Sequence, residues 1–100
     1  MAIMSVITVK ARDGKTSEVI ENFKIVKRIV ERAGGKYRVV QQVYGANPRV
    51  LSAISEFSDW SAFGKVRSDP EMQQLMARIR DNANPAADPI AATVVEEIAI

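Results

Sequence analysis

The order of the apolar segments most restricts how this chain can fold. Runs rich in β-branched residues and bounded by turn residues predict strands, and apolar residues recurring every three or four positions predict helices. The predicted strands are, in chain order, Ile3–Ala11, residues 37–44, Val50–Phe57 and residues 93–100. One helix falls between the first and second strands, and another falls between the third and fourth. The chain therefore runs strand, helix, strand, strand, helix, strand.

The first helix carries a wide apolar arc. Thr16 or Ser17 can cap its beginning, and Gly34-Gly35 is a signal for its end. Its apolar residues cover a wider arc of the helix surface than packing against one neighbour requires. Such a wide arc is unusual for a helix on the outside of a monomer. The residues of this arc are Val19, Ile20, Phe23, Ile25, Val26, Ile29, Val30 and Ala33. Asn22 falls inside this arc, where its amide is either a satisfied boundary group or a ligand contact.

The second helix is predicted in two pieces. Ser58 or Asp59 can cap a short helix that begins at Trp60. Ser68 and Glu71 then have the spacing of a capping box, which indicates that the helix restarts there. Trp60 is the only tryptophan of the chain. Its large ring is either a core or interface anchor or the aromatic wall of a ligand pocket.

A loop containing two prolines is predicted between the second helix and the last strand. Asn84-Pro85 and Asp88-Pro89 bracket this irregular segment. In the strand that follows, Glu96 and Glu97 are consecutive and must point to opposite faces. Such a pair is typical of an edge strand, where charge prevents association. If Glu96 were enclosed without a cation, it would instead be a plausible general base.

This order of elements is the split β-α-β pattern of a ferredoxin-like α+β fold, a four-stranded antiparallel sheet with both helices on one face. Right-handed crossovers place the first and third strands in the centre of the sheet. The first strand is apolar on both alternating sets, with Met4 and Val6 on one and Ile7 and Val9 on the other. Because helices cover only one face, the other needs a second cover. We therefore expect a homodimer that packs sheet against sheet.

The amino-acid composition excludes several kinds of catalytic and metal site. The 100 residues contain no cysteine and no histidine, which excludes disulfides, thiolate nucleophiles, histidine-based triads and the commonest zinc and haem sites. We expect no cofactor and no metal. The length suits a single domain over residues 1–100. The apolar start reaches Lys10 too soon for a signal peptide or membrane span, so we expect a cytoplasmic protein with no membrane contact.

The basic residues are concentrated in the first half of the chain. The formal net charge is +2, made up of +6 in residues 1–50 (ten basic, four acidic) and −4 in residues 51–100 (four basic, eight acidic). On the first helix, Lys24, Lys27 and Arg28 are interleaved with Glu21 and Glu31. This mixture is typical of a solvated helix face. We therefore expect no nucleic-acid partner.

A further candidate cluster lies at the connection between the second and third strands. Tyr44 can polarise a carbonyl or phenol, Asn47 can orient it, and Arg49 can pair with a carboxylate. The alternative is structural, since Asn47-Pro48 is a turn signal and Tyr44 would then be a cross-strand neighbour. The candidate ligand-binding residues from sequence are thus Asn22, Tyr44, Arg49, Trp60 and Glu96.

The chain resembles the dimeric α/β-barrel superfamily, with its antibiotic-biosynthesis-monooxygenase-like and NIPSNAP-like domains. The resemblance covers nearly the whole chain and rests on three stretches: 9–15 (VKARDGK), 56–63 (EFSDWSAF) and 67–72 (RSDPEM). It implies a dimer that closes two sheets into a barrel. Haem-binding members of the superfamily depend on a histidine, which this chain lacks.

The resemblance also implies a class of function. We expect a small-molecule-binding protein, in its sharpest form a cofactor-independent monooxygenase-like enzyme on an aromatic or polyketide-like substrate. In that form the conjugated anion of the substrate reacts with oxygen, and the protein supplies an apolar cavity with a few polar groups. The alternative is a non-catalytic dimeric module that binds a ligand or another protein.

Overall fold

The computed structural model describes residues 2–43 and 49–100. Its elements are β1 (Ile3–Ala11), α1 (Thr16–Arg32), β2 (Lys36–Gln41), β3 (Val50–Phe57), α2 (Trp60–Ser68), α3 (Pro70–Arg80) and β4 (Ala87–Glu96). This order confirms the predicted ferredoxin-like α+β fold, and the second helix is divided into α2 and α3 as predicted.

The four strands form an antiparallel sheet in the order β2-β3-β1-β4, so β1 and β3 are central, as predicted. Opposite residues in antiparallel strands share a face of the sheet. On the helix side, Ile3 lies opposite Phe57. On the other side, Val6 lies opposite Ile54. We call this second side the open face, because the helices do not cover it.

The core lies between the helices and the helix side of the sheet, in two clusters. The first cluster consists of Ala11, Val19, Leu51 and Ala86. The second consists of Ile29, Val30, Phe57 and Val66. Both draw on the wide apolar arc of α1, which explains why that arc spans so much of the helix surface.

The helix ends agree with the sequence in part. Gly34 follows the end of α1 with a φ of +89°, as expected of a C-terminal glycine. The predicted N-cap is wrong, because Lys15 occupies that position and no side chain caps α1. Asp59 caps α2 by accepting from the backbone N–H of Ala62. This agrees with one of the two predicted caps.

The predicted capping box of Ser68 and Glu71 is wrong. Asp69 is the N-cap of α3, and its carboxylate accepts from the backbone N–H groups of Glu71 and Met72. Ser68 is still the last residue of α2, where its hydroxyl donates to the carbonyl of Gly64. A carboxylate one residue later therefore replaces the hydroxyl as the cap.

The boundaries predicted for the outer strands are also wrong. β2 ends at Gln41, and β4 begins at Ala87 and ends at Glu96, several residues earlier than predicted at both ends. The dipeptide Asp88-Pro89 therefore belongs to a strand and not to a loop. Proline is tolerated there because β4 is an edge strand that pairs only with β1. The predicted turn over residues 45–48 lies outside the described residues.

Candidate functional site

The helix layer leaves the helix side of β4 uncovered. Nine of the ten residues of β4 are exposed, and Ala87 alone is partly buried. The side chains of Ile7 and Val94 belong to the helix side of the sheet, yet they are 44% and 43% exposed. Ala92 lies opposite Ile7. We call this surface, formed by Ile7, Ala92 and Val94, the β4 strip.

A cavity of about 190 Å³ lies at the Ala87 end of the β4 strip, where α1 and the end of α3 approach the sheet. Most of its lining is apolar: Val9, Val19, Phe23, Ile79, Pro85, Ala86, Ala87 and Pro89. Its polar lining residues are Glu18, Asn22 and Asn82. We call it the Asn22 cavity. Its composition, an apolar wall with a few polar groups, is typical of small-molecule sites.

A β-bulge shapes the sheet wall of the Asn22 cavity. Thr8 lies opposite Ala91 and Val9 lies opposite Pro89, so Ile90 is an extra residue on β4. A bulge of this kind bends its strand and increases the local twist. Pro89 has no N–H to lose from the ladder, which suits it to this position.

The segment at the base of the cavity is held to the end of β1. The backbone N–H of Arg12 donates to the carbonyl of Ala86 at 2.8 Å. The Arg12 guanidinium donates to the Asp88 carboxylate at 2.8 Å, and this hydrogen bond lowers the pKa of Asp88. These contacts keep residues 86–88 beside β1, where Ala86 and Ala87 line the cavity.

Asn22 is the polar side chain best placed to contact a ligand. Its amide makes no hydrogen bond with any described residue, whereas Asn82 accepts from the backbone N–H of Asn84 and Glu18 pairs with Lys15 at 3.6 Å. An amide has two donor hydrogens and an acceptor oxygen. The Asn22 side chain can therefore donate to a carbonyl or phenolate oxygen, or accept from a phenol.

Trp60 and Glu96, both candidates from sequence, are in direct contact. The indole N–H of Trp60 donates to a carboxylate oxygen of Glu96 at 2.7 Å. The Trp60 ring also meets Phe63 edge to face, with ring centroids 5.5 Å apart, and is 52% exposed. The bond joins the first residue of α2 to the last residue of β4. The hydrogen bond thus anchors α2 to β4, and it leaves about half of the Trp60 ring exposed to solvent.

The structure does not bring all the candidates to one point. Glu96 lies opposite Ile3 at one end of β1, whereas Pro89, in the wall of the Asn22 cavity, lies opposite Val9. Six residues of strand separate those two positions, which corresponds to roughly 20 Å. The β4 strip runs between them. Asn22 and the Trp60–Glu96 pair therefore flank the β4 strip at its two ends.

Arg49, another candidate from sequence, does not line the Asn22 cavity. Arg49 forms an ion pair with Asp13, and its carbonyl accepts from the backbone N–H of Ala11. It therefore links the start of β3 to the turn after β1. Tyr44 and Asn47 lie outside the described residues.

Of the residues that line the Asn22 cavity, the sequence pointed only to Asn22 as a candidate. Glu18 lies four residues before Asn22 and hence on the same helix face, so the periodicity of α1 could have identified it. Asn82 and Pro89 come from segments far away in the sequence. Their approach to α1 depends on where α3 ends and β4 begins, and no local pattern encodes that.

Other kinds of site receive no support from the described residues. Among residues 2–43 and 49–100, no group of three acidic side chains is close enough to hold a metal ion. Within the same ranges, no helix is both long and apolar enough to cross a membrane.

The fold and the site define a ferredoxin-like α+β protein with an apolar cavity between its helices and its sheet. No family model matches the sequence, and no curated protein matches it. Solved structures do match across nearly the full length of the chain. Rv0793 from Mycobacterium tuberculosis superposes with a TM-score of 0.75 at 13% identity, covering 100% of this chain and 98% of that one.

Two further neighbours carry functional descriptions. SnoaB, a cofactor-independent oxygenase from Streptomyces nogalater, matches with a TM-score of 0.75 at 12% identity, covering 99% of this chain and 95% of its own. A candidate antibiotic biosynthesis monooxygenase from Deinococcus radiodurans matches with a TM-score of 0.78 at 13% identity, covering 100% and 95%. The chain therefore has the fold of antibiotic-biosynthesis-monooxygenase-like proteins, and the predicted resemblance is confirmed for the fold.

Proposed function

We propose that this protein binds a small aromatic or polyketide-like molecule in the Asn22 cavity and along the β4 strip. The observation that carries the proposal is the Asn22 amide, which has no partner among the described residues and lines a mainly apolar cavity. An apolar wall favours the rings of such a ligand, and one amide orients its oxygen. The fold shared with SnoaB, a cofactor-independent oxygenase, supports a catalytic form of the proposal.

In its catalytic form, the proposal is a cofactor-independent oxygenation. A methylene flanked by conjugated groups loses a proton, and the resulting carbanion adds O₂ to give a hydroperoxide. The hydroperoxide loses water and becomes a carbonyl, so O₂ supplies one oxygen to the product and one to water, and no external reductant is needed. Among the described lining residues, the Glu18 carboxylate can accept the proton and the Asn22 amide can donate to the developing oxyanion.

The proposal includes a homodimer formed through the open face. The centre of that face is apolar, with Met4, Val6 and Ile54 adjacent in the register. Charged neighbours stand at opposite corners: Lys36 beside Glu56, and Lys10 beside Asp88. An apolar centre with a charged rim is typical of an interface between subunits.

A non-catalytic dimeric binding module is the second candidate function. The volume of the Asn22 cavity, about 190 Å³, favours it. Pockets that enclose drug-sized ligands commonly measure about 300–1,000 Å³. In this form the protein holds part of a ligand, or a side chain of a partner protein, without transforming it.

The proposal is tested with 2-naphthol as a binding probe and anthrone as an oxidisable substrate. We expect 2-naphthol to raise the Tm of the protein, and Asn22→Ala to remove most of that shift, because the variant loses the orienting amide. Gln73→Ala, which truncates an exposed amide on α3, is the matched control and should retain the shift.

The two candidate functions differ in the second measurement. The oxygenase predicts O₂ consumption with anthrone above the uncatalysed rate, and a fall of roughly tenfold or more in Asn22→Ala, as for loss of an oxyanion donor. Binding without O₂ consumption would favour the module. An unchanged Tm with both compounds would contradict the binding of a small aromatic ligand, with or without catalysis.

A further inference from the structure

A groove that differs from the Asn22 cavity in the charge of its lining residues lies between α1 and the edge strand β2. It measures about 310 Å³ and shares one wall residue, Phe23, with the Asn22 cavity. Its apolar lining comes from Ile20, Phe23, Tyr37 and Val39. The Tyr37 hydroxyl is buried, so the groove meets the ring of this residue and not its polar end. The groove therefore has an apolar floor.

The rim of this groove is cationic. Lys24 and Lys27 of α1 line it, and none of its described lining residues is acidic. Arg38 also borders the groove, but it lies opposite Ile54 in the register, so its side chain belongs to the open face of the sheet. Lys24 pairs with Glu21 at 3.0 Å, but both side chains are about two-thirds exposed, so that pair is weak. Lys27 forms no ion pair with any described residue. Lys27 is thus available to an incoming anion, and Lys24 can leave its weak pair to join it.

An apolar floor beside two exposed lysines favours a particular ligand chemistry. A neutral apolar molecule would gain nothing from the lysines, and a bare inorganic anion would gain nothing from the apolar floor. A nucleic-acid backbone would do the same, since the cations sit over apolar side chains and not along a polar surface. A molecule with one acidic head and an apolar body satisfies both parts of the groove.

We propose that this groove is a second binding site, for a small amphipathic carboxylate. The carboxylate is held at the rim by Lys24 and Lys27, and the apolar body packs on Phe23 and Val39. The volume of the groove falls within the range of small-molecule sites. The Asn22 cavity has an acidic lining residue, Glu18, and no cationic one among those described, so the two sites take ligands of different charge.

The test is isothermal titration calorimetry with octanoate and with 1-octanol, which share an apolar chain and differ in the charge of the head. We expect octanoate to bind about tenfold or more tightly than 1-octanol at low salt, and its affinity to fall as salt is added. The double variant Lys24→Gln/Lys27→Gln should lose about tenfold in octanoate affinity while its Tm stays unchanged, since both lysines are exposed.

The matched control is Lys65→Gln/Arg78→Gln, which removes two exposed cations from α2 and α3 and changes the net charge equally. It should bind octanoate within about twofold of the unchanged protein. Equal affinity for the two ligands, no binding of octanoate, or equal losses in the two double variants would overturn the proposal. So would loss of octanoate binding in Asn22→Ala, because the carboxylate would then occupy the Asn22 cavity.

Discussion

At the scale of single residues, Asn22 and Tyr37 present opposite cases of a polar group among apolar neighbours. The Asn22 amide lines a cavity, so it is placed to meet a ligand. The Tyr37 hydroxyl is buried with no hydrogen-bond partner among the described residues, and burial raises the pKa of this phenol far above its usual value. The position of Asn22 therefore suggests ligand binding, whereas the buried Tyr37 hydroxyl lowers the stability of the folded protein.

Replacing Tyr37 by phenylalanine should leave the protein as stable as before or more stable. The hydroxyl lost its hydrogen bonds to water on folding and gained none from the described residues, which is unfavourable by about 1–3 kcal/mol. We expect the free energy of unfolding in urea to rise by up to about 1 kcal/mol. A fall of that size would mean that the hydroxyl does have a stabilising partner.

The sequence could predict that Asn22 lies inside an apolar arc, because helical periodicity alone determines which residues share a face of α1. It could not predict the cavity. That depends on Pro89 and Ile79, which approach α1 from the far end of the chain. Nor could it predict the Trp60–Glu96 hydrogen bond, since both residues had credible separate roles and only the sheet register brings them together.

At the scale of elements, the junction between α1 and β2 is closely packed. A Cβ added at Gly35 would come within 2.8 Å of both the Phe57 ring and the Val30 side chain. A Cβ added at Gly64, within α2, would meet no atom within 4 Å. These two glycines therefore offer a matched pair of substitutions.

We expect Gly35→Ala to destabilise the protein by about 1–3 kcal/mol, because the new methyl group overpacks the core against Phe57. Gly64→Ala should stabilise it by about 0.5–1 kcal/mol, since alanine is favoured over glycine inside a helix. Urea unfolding of both variants measures the difference. Equal changes in the free energy of unfolding for the two variants would contradict this, because they would show that the core accommodates a methyl group at Gly35 without being destabilised.

The start of α3 is joined to α1 by ion pairs. Arg32 donates to Asp69 at 2.9 Å and to Glu71 at 3.2 Å, and Arg28 donates to Glu71 at 2.6 Å. The hydrogen bond from Arg32 lowers the pKa of Asp69 below its ordinary 3.8. The hydrogen bonds from Arg28 and then Arg32 lower the pKa of Glu71 below its ordinary 4.5. Both carboxylates therefore bind protons less readily in the folded protein than in the unfolded chain.

The stability that these two groups contribute is complete above their ordinary pKa values and is lost as the pH falls through the lower folded values. We expect the urea midpoint to decrease from pH 6 to pH 3, and the decrease to be smaller in Asp69→Asn/Glu71→Gln. Glu31→Gln/Glu97→Gln is the control, because those carboxylates form no ion pair with described residues. An equal reduction in both double variants would contradict this assignment.

The elements themselves were largely predictable, while their ends were not. β1 and β3 match their predicted bounds, because long β-branched runs end at clear turn residues. β4 begins earlier than predicted because Asp88-Pro89 is a turn signal by local pattern, whereas an edge position and a bulge accommodate Pro89 within the strand. Asp69 capped α3 in place of Ser68, a choice between adjacent capping residues that local pattern does not decide.

At the scale of the whole molecule, the sheet has one covered face and one open face. The predicted dimer follows from this asymmetry, and it assigns Ile54 to the centre of the interface. We expect Ile54→Lys to convert the dimer to a monomer in sedimentation velocity at micromolar concentration, because a charge there would be buried without a partner. Gln74→Lys, on the exposed surface of α3, adds the same charge and should remain dimeric. A monomer before any substitution would contradict the predicted dimer.

Titration with 2-naphthol followed by ¹⁵N NMR shows whether the cavity beside Asn22 binds a small aromatic ligand. We expect the side-chain amide signals of Asn22 to shift, together with the backbone signals of Ala86 and Ala87, which line the same cavity. Shifts restricted to other parts of the chain, or no shifts at saturating 2-naphthol, would contradict it.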